Sequence, residues 1–317
     1  MNPEEAFVYA ENHGPSDETR KIACEHPKWA YFYARYVDKG PREDTRKAVC
    51  KDPDKYNELA LYWMNEYAKY VDKGPHEETR KAACVDSCSA YDYARSIDKK
   101  PTDDTRKSVC SAGIGNSELA YSYAMIIDKK PSDDTRKTAC KDPEHALKYA
   151  EEVDKGPHKD TRDACCRSLT YSYIYVDSID RGPHKNTRKV ACGDPRYAFD
   201  YANDIDKEPR DDTRKAACKD PESAYRYAQD VDVEPRDDTR KAACKSSHYA
   251  YKYAKYIDKC PRDDTRKGAC KTPGSAYLYA EFVDKKFHQE TWEATENTEY
   301  RKEYNNFLNQ LEKDKII

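Results

Sequence analysis

The sequence predicts an all-α protein, an α-solenoid of about eleven 26-residue two-helix repeats that ends in a C-terminal capping helix. Three observations carry this prediction. A Thr-Arg pair recurs along almost the whole chain at regular intervals, and a fixed period of this kind is typical of repeat architectures. Apolar residues recur at helical spacing. Prolines interrupt the chain about every dozen residues, which disfavours strands.

The register of the repeat follows from the arginines of the Thr-Arg pairs. The steps from each of these arginines to the next are 26, 34, 26 and 30, followed by five steps of 26. One further step of the same length leads from Arg266 to Trp292, where a degenerate eleventh repeat begins. With the proline before each pair as position one, five positions are identical in ten repeats: Thr at five, Arg at six, Cys at ten, Tyr at nineteen and Asp at twenty-four.

Each repeat contains two helix starts. The first follows the proline and places acidic residues before Arg and Lys, an order that suits the helix dipole. The second begins with an Asp N-cap and a proline, as at Asp220 and Pro221, and closes at Asp-Lys-Gly. Positions sixteen, nineteen, twenty and twenty-three share one face of this second helix, which predicts its buried stripe. Small residues at nine and ten, such as Ala217 and Cys218, are expected to face that stripe.

Two insertions and the C-terminal residues depart from the period. We expect a repeat array over residues 1–286, and a degenerate last repeat with a capping helix over residues 287–317. Eight extra residues near 51–66 keep helical spacing and predict two further turns of a second helix. The extra residues at 111–117 include two glycines and predict a loop. The last helix has one apolar side that suits an end cap, and dimerisation through it is the alternative.

At Thr-Arg-Lys, Ala-Cys-Lys-Asp-Pro and Ala-Tyr-x-Tyr-Ala, the chain resembles the short tandem helical repeats of large DNA viruses, phages and some microbes. This resemblance covers nearly the whole chain. It implies an α-solenoid, a virus- or phage-encoded origin and a host protein as the partner, and its motifs specify no activity. The 26-residue unit is too short to match tetratricopeptide, ankyrin or HEAT repeats.

Composition and spacing argue against several classes of protein. Lys plus Arg number 57 and Asp plus Glu number 60, so the chain is not a bulk polycation. No apolar run is long enough to span a membrane and the acidic N-terminal residues do not fit a signal peptide, so a cytoplasmic, reducing location is expected. Ten of the 13 cysteines occupy position ten and are expected to be reduced core residues. No catalytic or metal-ligand pattern emerges, and we expect no enzyme activity, cofactor or metal.

The recurring arginine and aspartate are charged residues that occur once in every repeat, whereas a catalytic site needs one asymmetric constellation. We therefore expect a ladder of hydrogen-bonded ion pairs that joins successive layers. The arginines of this ladder are Arg20, Arg46, Arg80, Arg106, Arg136, Arg162, Arg188, Arg214, Arg240 and Arg266, and the aspartates are Asp38, Asp72, Asp98, Asp128, Asp154, Asp180, Asp206, Asp232, Asp258 and Asp284. The alternative is that each Arg and the Lys after it form a basic stripe that tracks phosphates.

The repeats differ most at positions fourteen, fifteen, eighteen, twenty-one and twenty-two, which should lie on the exposed face of the second helices. This face carries aromatic and large apolar residues near both ends and acidic residues between them, a pattern typical of protein-binding surfaces. The candidate partner-binding residues are Trp29, Phe32, Tyr36, Trp63, Tyr70, Tyr256, Leu278 and Phe282. For Trp63, in the first insertion, packing on adjacent repeats is the alternative. The predicted function is a non-enzymatic protein-binding scaffold or inhibitor, and the alternative is a nucleic-acid-binding solenoid.

Overall fold

The helices begin at the prolines and short polar residues that mark their N-termini in the sequence. A computed structural model describes residues 1–51, 53–111 and 115–314. Over these residues the chain is an all-helical α-solenoid in which neighbouring helix pairs pack in sequence order, and it contains no strand. The chain divides into two compact units, an N-terminal half (Met1–Cys165) and a C-terminal half (Cys166–Ile317).

Within each half, the helices alternate between a first and a second helix of successive repeats. The N-terminal half contains α1 (Pro3–His13), α2 (Asp17–Ala23), α3 (Pro27–Phe32), α4 (Glu43–Val49), α5 (Pro53–Tyr70), α6 (Glu77–Ala83), α7 (Ser87–Tyr93), α8 (Asp103–Cys110), α9 (Asn116–Tyr123), α10 (Asp133–Ala139), α11 (Pro143–Lys148) and α12 (Lys159–Cys165). The C-terminal half contains α13 (Leu169–Tyr175), α14 (Lys185–Ala191), α15 (Pro195–Asp200), α16 (Asp211–Ala217), α17 (Pro221–Arg226), α18 (Asp237–Ala243), α19 (Ser247–Tyr253), α20 (Asp263–Ala269), α21 (Pro273–Tyr279), α22 (Gln289–Ala294) and α23 (Tyr300–Asp314).

The first helices of the repeats are only about two turns long. In α16 the backbone is extended at Arg210, and two acidic residues occupy the first turn. Cys218 caps the C-terminal end, where its N–H donates to the carbonyl of Arg214 at 2.9 Å. Acidic residues in the first turn are favourable because they lie at the positive end of the helix dipole. A helix of this length is too short to persist alone in water. Packing against neighbouring helices must therefore supply its stability.

Most second helices widen into a π-helical turn before they end. These turns are Tyr33–Val37, Ala94–Asp98, Ala124–Asp128, Tyr149–Asp154, Val176–Asp180, Tyr201–Asp206, Tyr227–Asp232, Ala254–Asp258 and Ala280–Asp284. In the first of them the N–H of Asp38 donates to the carbonyl of Tyr33, five residues earlier, at 2.9 Å. The sequence predicts an ordinary helix over this stretch. The π-helical turn is a departure from that prediction, and it directly precedes or includes the aspartate at position twenty-four.

The residue after each aspartate reverses the chain through the left-handed region of φ. At position twenty-five φ lies between +51° and +58° in all ten repeats, although none of these residues is glycine. Nine of them are Lys or Arg, and Val233 is the exception. A left-handed L-residue costs roughly 1–2 kcal/mol because its Cβ crowds the following carbonyl, and a β-branched residue is the least suited of all. Each of these ten repeats therefore contains one residue with a strained, left-handed backbone.

The core lies between the second helix of one repeat and both helices of the next. One cluster brings together Phe199 and Ala202 of one repeat with Ala217, Tyr227 and Val231 of the following repeat. The predicted stripe at positions sixteen, nineteen, twenty and twenty-three is confirmed here, because each of its members in this repeat is at most 9% exposed. Alanine lets the helices approach closely, and the tyrosine ring fills the space between them.

The first insertion lengthens a second helix as predicted. Helix α5 runs for 18 residues without a break, and it buries Met64 and Tyr67 while Leu59 stays 69% exposed. The second insertion was predicted as a loop, and its residues 112–114, including Gly113, lie outside the described residues. Helix α9 begins at Asn116, whose side-chain amide donates to the carbonyl of Ser111 at 2.8 Å.

The last helix pair keeps part of the repeat. Helix α23 packs against α21, and Tyr304 is fully buried. Thr291 at position five retains the hydrogen bond to a tyrosine hydroxyl, here Tyr304 at 2.8 Å. Trp292 replaces the arginine of position six, and the guanidinium of Arg301 lies 3.6 Å from the centre of its ring. Among the described residues, no helix has the length and apolar character needed to cross a membrane.

Substitution of Val233 by glycine tests the strain at position twenty-five. Its side chain is 77% exposed, so Val233→Gly removes little packing. Relief of the left-handed valine should outweigh the entropy cost of glycine and raise the free energy of unfolding by about 1 kcal/mol. Urea unfolding followed by circular dichroism measures this change. Lys207→Gly, at the same position of the preceding repeat, is the control and should gain less. A loss of stability in Val233→Gly would contradict the account.

Candidate interaction surface

The invariant tyrosine and threonine of each repeat bond to each other inside the core. In nine repeats the hydroxyl of the position-nineteen tyrosine lies 2.7–2.9 Å from Oγ1 of the position-five threonine. The Tyr227 hydroxyl also accepts a hydrogen bond from the backbone N–H of Arg210 at 3.0 Å. Each such bond joins the second helix to the N-terminus of the first helix in the same repeat. Buried polar groups need such partners because an unpaired one is costly.

The invariant arginine and aspartate form a second internal pair. Arg214 donates from Nε and Nη2 to Asp232 at 2.9 and 2.8 Å, and from Nη1 to Asp211 at 2.9 Å. The same bond from position six to position twenty-four is 2.5–2.8 Å long in nine repeats. The hydrogen bonds that Arg266 donates to Asp284 raise the pKa of Arg266 above its ordinary value, although burial opposes the shift. These are buried, fork-like pairs of the strongest kind.

The position of these pairs corrects one expectation. They were expected to join successive layers, but each observed pair lies within one repeat and closes its own second helix onto its own first helix. The physical reason is the π-helical turn, which ends at or beside the aspartate and leaves it next to the arginine of the same repeat. Contacts between repeats are made instead by arginines at position two, such as Arg236, whose Nε lies 3.5 Å from Asp232. The position-six and position-twenty-four residues of the remaining repeat are Arg162, which lies on α12, and Asp180, which ends the π-helical turn after α13.

The cysteines at position ten are small residues at the C-terminal ends of first helices. The 13 cysteines are thiols outside any disulfide bond, and all ten at position ten are half-buried. Burial raises the pKa of Cys218 to about 12 and that of Cys84 to about 11, so both remain protonated thiols near neutral pH. Among the described residues, no group of three or more potential ligands could hold a metal ion.

Four of the candidate aromatic residues form one cluster near the N-terminus. The Phe32 ring lies 5.7 Å from that of Trp29, 5.3 Å from that of Trp63 and 5.9 Å from that of Tyr36. Phe7 of α1 stacks on Trp29 at 5.7 Å, a contact that sequence reasoning missed because α1 precedes the first recognised repeat. Trp63 packs partly on the core cluster of these repeats. Trp63 also lines a cavity of about 290 Å³, together with His26, Pro27, Lys28, Leu59 and Ala60.

Near the C-terminus the candidate residues divide into exposed and packed members. Tyr256 is 52% exposed and Phe282 is 41% exposed. Leu278 instead packs against the core cluster that contains Tyr251 and Tyr279. The structure therefore leaves Tyr256 and Phe282 as the surface residues here. Lys255, which sequence reasoning did not select, lies 3.8 Å from the centre of the Phe282 ring and 5.3 Å from that of Tyr256.

The exposed face of the second helices carries several acidic residues between these two ends, and tyrosines at position seventeen bind some of them. In the N-terminal half, the Tyr121 hydroxyl donates to Glu152 at 2.6 Å. Burial and this hydrogen bond raise the pKa of Tyr121 to about 12. In the C-terminal half, Tyr173 donates to Asp204 at 2.8 Å. Position seventeen of one repeat therefore lies beside position twenty-two of the next.

The comparisons with known proteins give no relative for this chain. No protein-family model matches the sequence, and neither a curated protein nor a solved structure matches it. The class of the protein is therefore defined by its own geometry, as a tandem helical-repeat protein with 26-residue helix pairs.

Removal of one buried hydroxyl tests the internal polar contacts. Tyr227→Phe keeps the ring but deprives Thr213 and the Arg210 N–H of a partner, and it should lower the free energy of unfolding by about 1–2 kcal/mol. Urea unfolding measures the loss. Tyr197→Phe is the matched control, because this tyrosine is half-buried and makes a ring contact with Tyr173 at 6.0 Å. Equal stability of Tyr227→Phe and the native protein would show that the hydroxyl contributes nothing.

Proposed function

We propose that this chain is a non-enzymatic protein-binding scaffold or inhibitor whose partner contacts the exposed face of the second helices. One observation carries the proposal. The aromatic residues at position twenty-two, Tyr36, Tyr70, Tyr256 and Phe282, remain 40–52% exposed, whereas the tyrosines at position nineteen are fully buried. Exposed aromatic side chains on a rigid framework are the usual anchors of protein interfaces.

The state of the arginines favours a protein partner over a nucleic acid. The position-six guanidinium groups are bound to aspartate, and their side chains are only 5–19% exposed in nine repeats. The neighbouring lysines at position seven are exposed, but most of them follow two acidic residues on the same helix. Lys47 and Lys81 pair with such residues, Glu43 and Glu77. A stripe that tracks phosphates needs free cations in sequence. The charges on the first helices therefore support a nucleic-acid partner less well than a protein partner.

The likeness of the repeats to those of large DNA viruses and phages extends the proposal. It makes a host regulatory or defence protein the partner to seek. This extension rests on the sequence motifs alone, whereas the aromatic face supports protein binding independently of origin.

Alanine substitution of the exposed tyrosines tests the proposal. The triple variant Tyr36→Ala, Tyr70→Ala and Tyr256→Ala should recover at least tenfold less of any partner that the native chain captures from a host extract. The reason is that truncation of an aromatic hot-spot residue weakens binding by about 2 kcal/mol or more. Quantitative mass spectrometry measures recovery, and circular dichroism checks that helicity is unchanged. Lys215→Ala, on an exposed first-helix position, is the control. Undiminished capture would refute this face as the binding site. Retention on DNA or RNA that declines steeply with salt would favour the alternative function.

A further inference from the structure

One partly exposed arginine of the N-terminal half lies among three aromatic rings. The guanidinium carbon of Arg35 is 4.3 Å from the centre of the Tyr70 ring, 5.3 Å from that of Tyr36 and 5.6 Å from that of Tyr31. Its Nη1 also donates to the Tyr31 hydroxyl. Arg35 occupies position twenty-one of its repeat, Tyr31 and Tyr36 occupy positions seventeen and twenty-two, and Tyr70 occupies position twenty-two of the next repeat.

The C-terminal half contains the same arrangement at the same repeat positions. The ammonium of Lys255, at position twenty-one, lies 3.8 Å from the centre of the Phe282 ring, 5.3 Å from that of Tyr256 and 5.5 Å from that of Tyr251. It donates to the Tyr251 hydroxyl at 2.9 Å. Phe282 occupies position twenty-two of the next repeat. In each half, a cation at position twenty-one therefore lies among three rings. Two of these rings are at positions seventeen and twenty-two of the same repeat, and the third is at position twenty-two of the next repeat.

Neither cation has a carboxylate partner in the part of the chain that the structure describes. The ion pairs within 4.0 Å include those of the position-six arginines and of Lys47, Lys81 and Lys148, but none of those described involves Arg35 or Lys255. Glu66 acts on Arg35 only through longer-range electrostatics, and the groups that act on Lys255 are the two tyrosines Tyr251 and Tyr256. Arg35 and Lys255 are thus held beside aromatic rings and keep hydrogen-bond donors for another molecule.

We propose that Arg35 and Lys255, with their flanking rings, bind carboxylate groups of an acidic segment in a partner protein. This proposal rests on the protein-binding function proposed above and names the chemistry of the partner. Contact with aromatic rings restricts the cation, so it loses less conformational freedom when a carboxylate binds. The exposed edges of Tyr36, Tyr70, Tyr256 and Phe282 offer apolar contact beside each charge. The matching partner segment places an aspartate or glutamate next to an apolar side chain.

Charge elsewhere on the same face favours an acidic peptide over a nucleic acid. Glu151 and Glu152 in the N-terminal half, and Asp204 and Asp230 in the C-terminal half, are exposed at positions twenty-one or twenty-two. A polyphosphate chain that followed this face would meet these acids, whereas a short acidic peptide can bind beside one cation without contact with them. An isolated cation between aromatic rings therefore suits a single carboxylate better than a phosphate backbone.

Selection from a random dodecapeptide library displayed on phage, with the full-length chain as bait, tests the proposal. Enriched peptides should contain Asp or Glu beside an aromatic or aliphatic residue. A synthetic copy of the most enriched peptide should bind at least fivefold more weakly to the Arg35→Gln, Lys255→Gln double variant, and its Asp/Glu-to-Asn/Gln version should show the same loss against the native chain. Arg95→Gln is the matched control, because Arg95 is an exposed cation at position twenty-one and has no such ring contact among the residues that the structure describes.

The outcomes separate this proposal from the function on which it rests. Enriched peptides that are neutral or basic, or that bind the double variant as well as the native chain, overturn the carboxylate proposal. If those same peptides still lose affinity for the Tyr36→Ala, Tyr70→Ala and Tyr256→Ala variant, the second-helix face remains the binding surface. If no peptide is enriched, or if enriched peptides ignore both sets of variants, both proposals fail. Equal losses in Arg95→Gln and in the double variant overturn the role of the aromatic rings.

Discussion

The fold depends on a pair of buried polar contacts that close each helix hairpin on itself. A two-turn helix cannot persist alone, and the alanine-rich interfaces offer little shape to fix its direction. The Tyr227–Thr213 hydrogen bond ties the second helix to the start of the first, and the Arg214–Asp232 pair ties its end to the middle of the first. With two fixed points, each hairpin has one geometry, and the apolar contacts then stack it on its neighbours within each half. A buried ion pair does not guarantee net stability, but it strongly penalises any arrangement that separates its charges.

This construction explains why the repeat accepts local strain. The π-helical turn and the left-handed residue at position twenty-five are both unfavourable in isolation. Together they end the second helix with its aspartate beside the arginine, so the paired charges stabilise a conformation that the backbone alone would avoid. Because the invariant residues are used internally, the positions that face solvent are free to differ between repeats. Recognition can then be assigned to the variable positions fourteen, fifteen, eighteen, twenty-one and twenty-two without loss of the framework.

The sequence predicted the architecture because periodicity reports directly on packing. The helix pairs, the buried stripe and the long helix α5 all followed from spacing. The direction of the Arg–Asp pairs was wrong, since a regular period gives the same pattern whether a pair closes within a repeat or joins two repeats. The π-helical turns have no residue signature, and lysine gave no sign of a left-handed backbone. Arg35 and Lys255 were missed because each contacts an aromatic ring of the following repeat, which is distant in sequence. Leu278 was selected as a surface residue, although its side chain packs against a core cluster.

A double-mutant cycle on Arg214 and Asp232 tests most directly whether the internal ion pair holds the hairpin. Urea unfolding of Arg214→Met, Asp232→Asn and the double variant yields the coupling free energy between the two side chains. The account predicts that each single variant is destabilised by about 3 kcal/mol, because a buried charge loses its bidentate partner and is left with the single contact to Asp211 or Arg236. It also predicts that the double variant loses at least about 1 kcal/mol less than the sum of the two. Strictly additive losses, or single variants as stable as the native chain, would contradict it.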